Sequence, residues 1–229
     1  MKKTLSVLGL LAVTGLAAKP VLAASPYVSA MAGISWMNNI HFTEQPYNVI
    51  AVDDFAGSDV KLGSSANFLG AVGCKLGHIR TEAEIGYQKH NLISYFDYFG
   101  PANIPETTSW VVNGTLSVTS LLANGYYDID LGSKVQFYAT AGAGIAWIAM
   151  RDVEELGPPG KNMDERVFAW QIGAGFTAPV SNNVKLDLRY RYFATADFTS
   201  DYHHNYFADE SSTAHISTNS VLLGLRVDI

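Results

Sequence analysis

A single cysteine, Cys74, stands among 229 residues, so the chain has no intramolecular disulfide framework. Charge is scarce too: only 16% of the residues are charged while 48% are hydrophobic, which excludes a disordered chain. Positive charge is scarcer than negative, with 15 Lys and Arg against 21 Asp and Glu, and the net −6 excludes a generic nucleic-acid binder. Long apolar runs are also missing. Beyond the first two dozen residues no predominantly apolar stretch reaches the roughly 20 residues of a spanning helix, which rules out a helical membrane bundle.

The chain opens with a basic pair, Lys2 and Lys3, then an apolar core from Leu5 to Ala18, then the small apolar residues Val21, Leu22 and Ala23. That order reads as a secretory signal over residues 1–23, its apolar run shorter than a spanning helix. Export would leave a mature domain of residues 24–229. Loss of Lys2, Lys3 and Lys19 takes the charge from −6 to −9. A secreted chain without disulfides must draw its stability from burial and backbone pairing.

The stretch VQFYATAGAGIAWIAM, residues 135–150, carries no charge. At period two, Val135, Phe137, Ala139, Ala141, Ala143, Ile145 and Trp147 share one face, and Gln136, Tyr138, Thr140, Gly142, Gly144 and Ala146 the other. One face is wholly apolar and the other small or polar, as for a strand between lipid and a crowded interior. Residues 184–193 alternate in the same way, Val184, Leu186, Leu188, Tyr190 and Tyr192 against Lys185, Asp187, Arg189, Arg191 and Phe193.

Eight segments show this dyad: 27–37, 66–77, 79–90, 108–127, 135–150, 166–178, 184–196 and 215–229. The fourth is ambiguous in phase because Leu121 and Leu122 are adjacent. Short links follow the second, fourth and sixth, at Gly77 with His78, at DIDLGSK from Asp128 and at PVSNN from Pro179. Long links run over 38–65, 91–107, 151–165 and 197–214. The pattern predicts an all-β fold: a closed, eight-stranded, antiparallel up-and-down transmembrane β-barrel with short periplasmic turns and long extracellular loops. Closure leaves no strand edge in lipid. Trp36, Trp110, Trp147 and Trp170 all fall at the loop end, as an outer aromatic belt requires.

With these strands assigned, the chain resembles the small eight-stranded outer-membrane proteins of the opacity, surface-antigen and OmpA/OmpX type. The resemblance rests on RTEAEIGY at Arg80, SLLANGYYDI at Ser120, VQFYATAGAGIAW at Val135, LDLRYRYF at Leu186 and the apolar final strand. It implies the outer membrane of a Gram-negative bacterium, contact with outer-membrane lipids and lipopolysaccharide, and delivery to the barrel-assembly machinery through the C-terminal strand. That family usually ends in an aromatic residue, whereas this chain ends in Ile229.

Period-two phasing points Lys75, Arg80, Glu82, Glu84, Lys185, Asp187, Arg189, Arg191, Arg226 and Asp228 inward. In eight-fold order the third strand faces the seventh, so Glu82 and Glu84 are expected to join Arg189 and Arg191 across the lumen. Gly142, Gly144, Gly173 and Gly175 would make room for these side chains. An eight-stranded barrel is just wide enough for side chains to fill it or for one small ligand to enter. The charges favour a plug and an envelope-integrity role; the small inward residues favour a narrow porin passing small solutes.

The long loops sum to −12, the charge of a solvated outer surface. Their aromatics match the composition of recognition surfaces: Tyr95, Phe96 and Tyr98 in one loop, and Tyr202, His203, His204, Tyr206 and Phe207 in another. An adhesin-like or surface-antigen role with an extracellular partner follows, for a monomer. No metal or cofactor is expected, since adjacent His203 and His204 with Asp201, Asp209 and Glu210 lack a ligand spacing. His215 and Ser217, two apart on one lipid-facing phase, are faintly similar to the pair of the lipid A deacylase barrels. There an asparagine directly follows the serine; here Thr218 intervenes before Asn219. No acid is assigned to orient the histidine, so the chain is not expected to be an enzyme.

Overall fold

The computed structural model describes residues 24–44, 54–101, 106–111, 113–130, 132, 134–154, 161–200 and 212–229. The expected signal, residues 1–23, lies outside them. Eight strands form the wall: β1 (Ser25–Met37), β4 (Ser65–Leu76), β5 (Ile79–Pro101), β7 (Asn113–Ile129), β8 (Gln136–Glu154), β9 (Lys161–Pro179), β10 (Val184–Thr195) and β13 (Ser217–Asp228). Each pairs antiparallel with the next, and β13 pairs back onto β1 from Tyr27 with Asp228 to Met37 with Thr218. The ring is therefore closed.

Its register can be followed from residue to residue. From Tyr27 the paired positions are Gly73, Glu82, Asn124, Gly142, Gln171, Phe193 and Thr218, and the path re-enters β1 at Met37, ten residues further on. A stagger of ten over eight strands gives a tilt of about 40° at ~3.3 Å per residue and ~4.8 Å between strands. On β8 the outward aromatics Phe137 and Trp147 are ten residues apart with alanine and isoleucine between them. At that tilt they stand about 25 Å apart, the height of the apolar band of an outer-membrane barrel.

The short turns are made by local chemistry. Gly77 and Gly132 have φ of 63° and 69°, the left-handed region that β-carbons disfavour, and each turns the chain at the end where Ile229 bonds back to Pro26.

The remaining strands correct the expectation of long loops. β2 (Ile40–Glu44) and β3 (Asp54–Leu62) lie in the first, and β11 (Phe198–Ser200) and β12 (Ser212–Ala214) in the fourth. β5 runs on to Pro101, and β6 (Glu106–Val111) pairs with it. A second sheet, in the order β11-β12-β2-β3-β5-β6, thus rises beyond the wall. The physical reason is that backbone pairing does not stop at the lipid surface. β5 spans 23 residues, about twice the ~10 that a tilted strand needs to cross a bilayer. The fourth predicted segment is two strands, β6 and β7, with a register shift between Asn113 and Thr115. Its phase is settled at the leucine pair: Leu121 is outward and 48% exposed, and Leu122 is inward and 2% exposed.

Candidate functional site

The lumen is the chemically distinctive part of the molecule, and it has two storeys. Near the turns, β5 sends in Arg80, Glu82 and Glu84, and β10 sends in Asp187, Arg189 and Arg191, all buried. Arg189 on β10 reaches Glu84 on β5 at 2.8 Å, Nη1 to Oε2, and Glu82 at 3.9 Å. Arg191 lies 3.5 Å from Glu84 but pairs with no second carboxylate among the described residues, so the expected set is joined mainly through Arg189. Gln171 on β9 donates to Glu84 at 3.2 Å and to Asn124 at 2.7 Å, and its own oxygen accepts from Arg191.

Three tyrosines and one aspartate complete the network, and the inward list above omits them. Tyr27 and Tyr126 both donate to Glu82, at 2.9 and 2.5 Å, while Tyr138 donates to Asp187 at 2.5 Å. The Arg80 guanidinium stands 4.3 Å from the centre of the Tyr126 ring and 4.7 Å from that of Tyr138. Asp128, expected in a turn, is instead the penultimate residue of β7 and points inward, 2.8 Å from Arg80 and 2.7 Å from Lys75. Its signal was its even number: it shares a phase with Tyr126 and Asn124. Lys185 and Asp228 pair at 2.6 Å at the mouth, with Arg226 3.6 Å from Asp228 and its guanidinium 5.2 Å over Tyr27. Among the described residues near the turns charge nearly cancels, Lys75, Arg80, Lys185, Arg189, Arg191 and Arg226 against Glu82, Glu84, Asp128, Asp187 and Asp228.

The outer storey is apolar on one side, which the sequence reading missed. Leu116, Val118, Leu122, Ile148, Val167, Phe193 and Ile216 pack in one buried cluster, capped by Ile40, Val60 and Leu62 from β2 and β3. The facing side is polar: Ser35 bonds His90 at 3.1 Å, and Asn67 donates to Ser220 at 3.0 Å.

The glycines serve nearer neighbours than the arginines. A β-carbon on Gly142 would collide with the Asn124 side chain, and one on Gly175 would stand 2.5 Å from the Tyr138 hydroxyl. On Gly144 and Gly173 it would meet the carbonyl oxygens of Leu121 and Tyr190 on the adjoining strands.

Trp36, Trp147 and Trp170 face outward. Trp110 lies on β6 opposite Tyr95, eight residues beyond Tyr87 along β5. That is roughly 20 Å further out, so it stands above the belt. Phe96 is exposed, whereas Tyr95 packs against the apolar cluster. The side chains of Trp110 and Tyr98, and residues Tyr202, His203, His204, Tyr206 and Phe207, lie outside the described residues. His215 Nδ1 is 3.5 Å from Asp197, both exposed, but Ser217 is buried and its Oγ accepts from Asn38 at 2.8 Å. Ser217 thus departs from its lipid-facing expectation because Asn38 covers it.

The sequence that builds this closed, tilted ring, with its apolar exterior and filled interior, matches a family model. The outer membrane protein beta-barrel domain matches residues 5–227. The chain belongs to that family. Its place is the outer membrane, which gives the short turns to the periplasm and the second sheet to the outside. The chain is 27% identical over 125 residues to the outer membrane protein PagN of Salmonella typhimurium, a match covering 50% of this chain and 51% of that protein. It therefore spans about half the length of that curated relative. Among solved structures, OprG from Pseudomonas aeruginosa superposes with a TM-score of 0.50 at 10% identity, covering 91% of this chain and 98% of that one. Neisserial surface protein A gives 0.49 at 17% identity, with coverage of 90% and 99%.

Proposed function

We propose that this protein is a non-enzymatic, monomeric outer-membrane barrel whose lumen is held shut, with a structural role in the envelope and a surface-interaction role outside it. The observation that carries the reading is the cross-lumen bridge from Glu84 to Arg189, set among buried partners and roofed by the apolar cluster. Small solutes would have to cross both a bonded charge layer and a dewetted one. Phe96 and the acidic outer segments supply the aromatic and charged groups of a recognition surface, and the C-terminal strand β13 would carry the assembly signal.

Planar-bilayer recording on the folded protein, checked by its heat-dependent gel mobility, tests the shut lumen. Silence is expected. Reproducible channels whose selectivity changes in Arg189→Ala or Glu84→Ala would make it a narrow porin for small solutes instead. The surface role is tested by exchanging residues 201–211 for a short glycine-serine turn and measuring adhesion of expressing cells to host-surface glycans and matrix proteins. Undiminished adhesion with a folded barrel would overturn it.

A further inference from the structure

Two arginines at the turn end of the lumen are buried with more donors than partners. Arg226 is 1% exposed, and its Nε, Nη1 and Nη2 hydrogen-bond nothing among the described residues. The carboxylate beside it, Asp228, lies 3.6 Å away and is already held by Lys185 at 2.6 Å. Arg80 is as deeply buried and uses only its Nε, on Asp128, which leaves Nη1 and Nη2 unpartnered. Tyrosines have taken the neighbouring carboxylates: Tyr27 and Tyr126 donate to Glu82, and Tyr138 donates to Asp187. The guanidinium groups are therefore left over.

Register places the two groups at one height. Two strands on from Tyr27 the ladder reaches Glu82, roughly 6 Å higher, and Arg80 lies two residues, roughly 5 Å, below Glu82. In the other direction Arg226 pairs with Ser29, two residues above Tyr27, and the step back across one strand lowers it by roughly 3 Å. Both thus stand within about 2 Å of the level of Tyr27. They come from strands three apart, and inside a closed ring of eight such side chains converge. Tyr27 stands between them. The Arg226 guanidinium is 5.2 Å from the centre of its ring, and its hydroxyl donates to the same Glu82 Oε1 that lies 3.9 Å from Arg80 Nη1. At this end Lys75, Arg80, Lys185 and Arg226 face Asp128, Asp187 and Asp228, which leaves one positive charge in excess among the described residues. The side chains of Lys75 and Lys185 are 26% and 24% exposed, so the mouth above which the arginines sit is open to solvent.

We infer that the turn end of the lumen binds one small oxyanion, a phosphate or a carboxylate, between Arg80 and Arg226, admitted from the periplasm past Lys75 and Lys185. A guanidinium fork matches two oxygens of such an anion, and here two forks converge at one level. Water satisfies free donors but carries no charge, whereas an anion also offsets the excess positive charge in a region of low dielectric. Above the site the Arg189–Glu84 bridge crosses the lumen, so the anion is held at this end. The inference goes beyond the shut lumen and does not depend on it, since the site opens to the periplasm whether or not the storeys above conduct.

The test is isothermal titration of the folded protein, prepared in a maltoside detergent and phosphate-free buffer, with inorganic phosphate, acetate and chloride at constant ionic strength. Phosphate or acetate is expected to bind at one site per chain and chloride more weakly than either; the tighter of the two oxyanions tells a phosphate site from a carboxylate one. The bound anion is also expected to raise the thermal unfolding midpoint, because it binds only the folded barrel. R226Q removes one fork and is expected to weaken oxyanion binding about tenfold and to abolish the rise in midpoint. R226K, which keeps the charge without the fork, is expected to lose about threefold. K134Q, at a periplasmic turn, should bind as the wild type does. Heat-dependent mobility confirms folding of each variant, and R226K is read alone should R226Q fail that check. An absence of oxyanion binding by the wild type, equal binding of chloride, or undiminished oxyanion binding in the folded Arg226 variants would overturn the inference.

Discussion

Glu84 accepts from Gln171 and Arg189 and lies 3.5 Å from Arg191, all of them buried, so its charge is compensated entirely by protein. Removing one partner of such a pair costs about 3–5 kcal/mol, because the other is left charged and unsolvated. Glu84→Gln should therefore lower the thermal unfolding midpoint far more than Asp164→Asn, which breaks an exposed pair worth about 1 kcal/mol or less. Equal midpoints for the two variants would show that the lumen charges are solvated. A second residue-scale expectation concerns Gly175, where an added methyl would press on the Leu188 carbonyl oxygen and the Tyr138 hydroxyl. Gly175→Ala is expected to cost about 1–3 kcal/mol as an overpacking change and to displace Tyr138 from Asp187. Denaturant titration checks the first; the near-ultraviolet tyrosine signal checks the second.

At the scale of the strand, alternation is the controlling variable, and β7 shows it at two neighbouring leucines. Leu121 faces lipid near the middle of its strand while Leu122 faces the apolar cluster. A lysine on the lipid face costs about 2–4 kcal/mol at the bilayer midplane and about 0–1 near the interfaces, so Leu121→Lys, one row beneath the belt, should lower the folding free energy into vesicles by about 1–2 kcal/mol. Leu122→Ala should cost about 2–5 kcal/mol by another route, a cavity in a packed core. If Leu121→Lys were harmless, the phase assigned to β7 would be inverted. The ambiguity in the sequence is local: two adjacent leucines fit either face, and only pairing with Ile85 and Ile145 on the neighbouring strands decides between them.

For the whole molecule, the closed ring and the outer sheet share β5 and no other described strand. The eight wall ladders use no residue of β2 or β3, yet Ile40, Val60 and Leu62 cover the apolar storey of the lumen. Replacing residues 39–63 with a short turn should leave a barrel that keeps its heat-dependent mobility but melts earlier and binds an environment-sensitive apolar dye. A variant that fails to form the barrel would show that the outer sheet is part of the folding unit rather than a lid upon it.

What the sequence determined by itself is whatever depends on period two. It set the eight spans, the inward charges from Lys75 to Asp228, the outward tryptophans Trp36, Trp147 and Trp170, and the short turns at Gly77 and beyond Ile129, because side chains alternate strictly along a strand and lipid punishes any error of phase. Tertiary structure decided what depends on stagger and on strands meeting far apart in the chain. The ten-residue shift sets Glu84 against Arg189 across the lumen, and the β8–β9 register sets Arg166 beside Trp147 on the outer wall. It also brings β12 to β2 and roofs the lumen with β3, since pairing continues above the membrane wherever two edges meet, and no local pattern records which edges those will be.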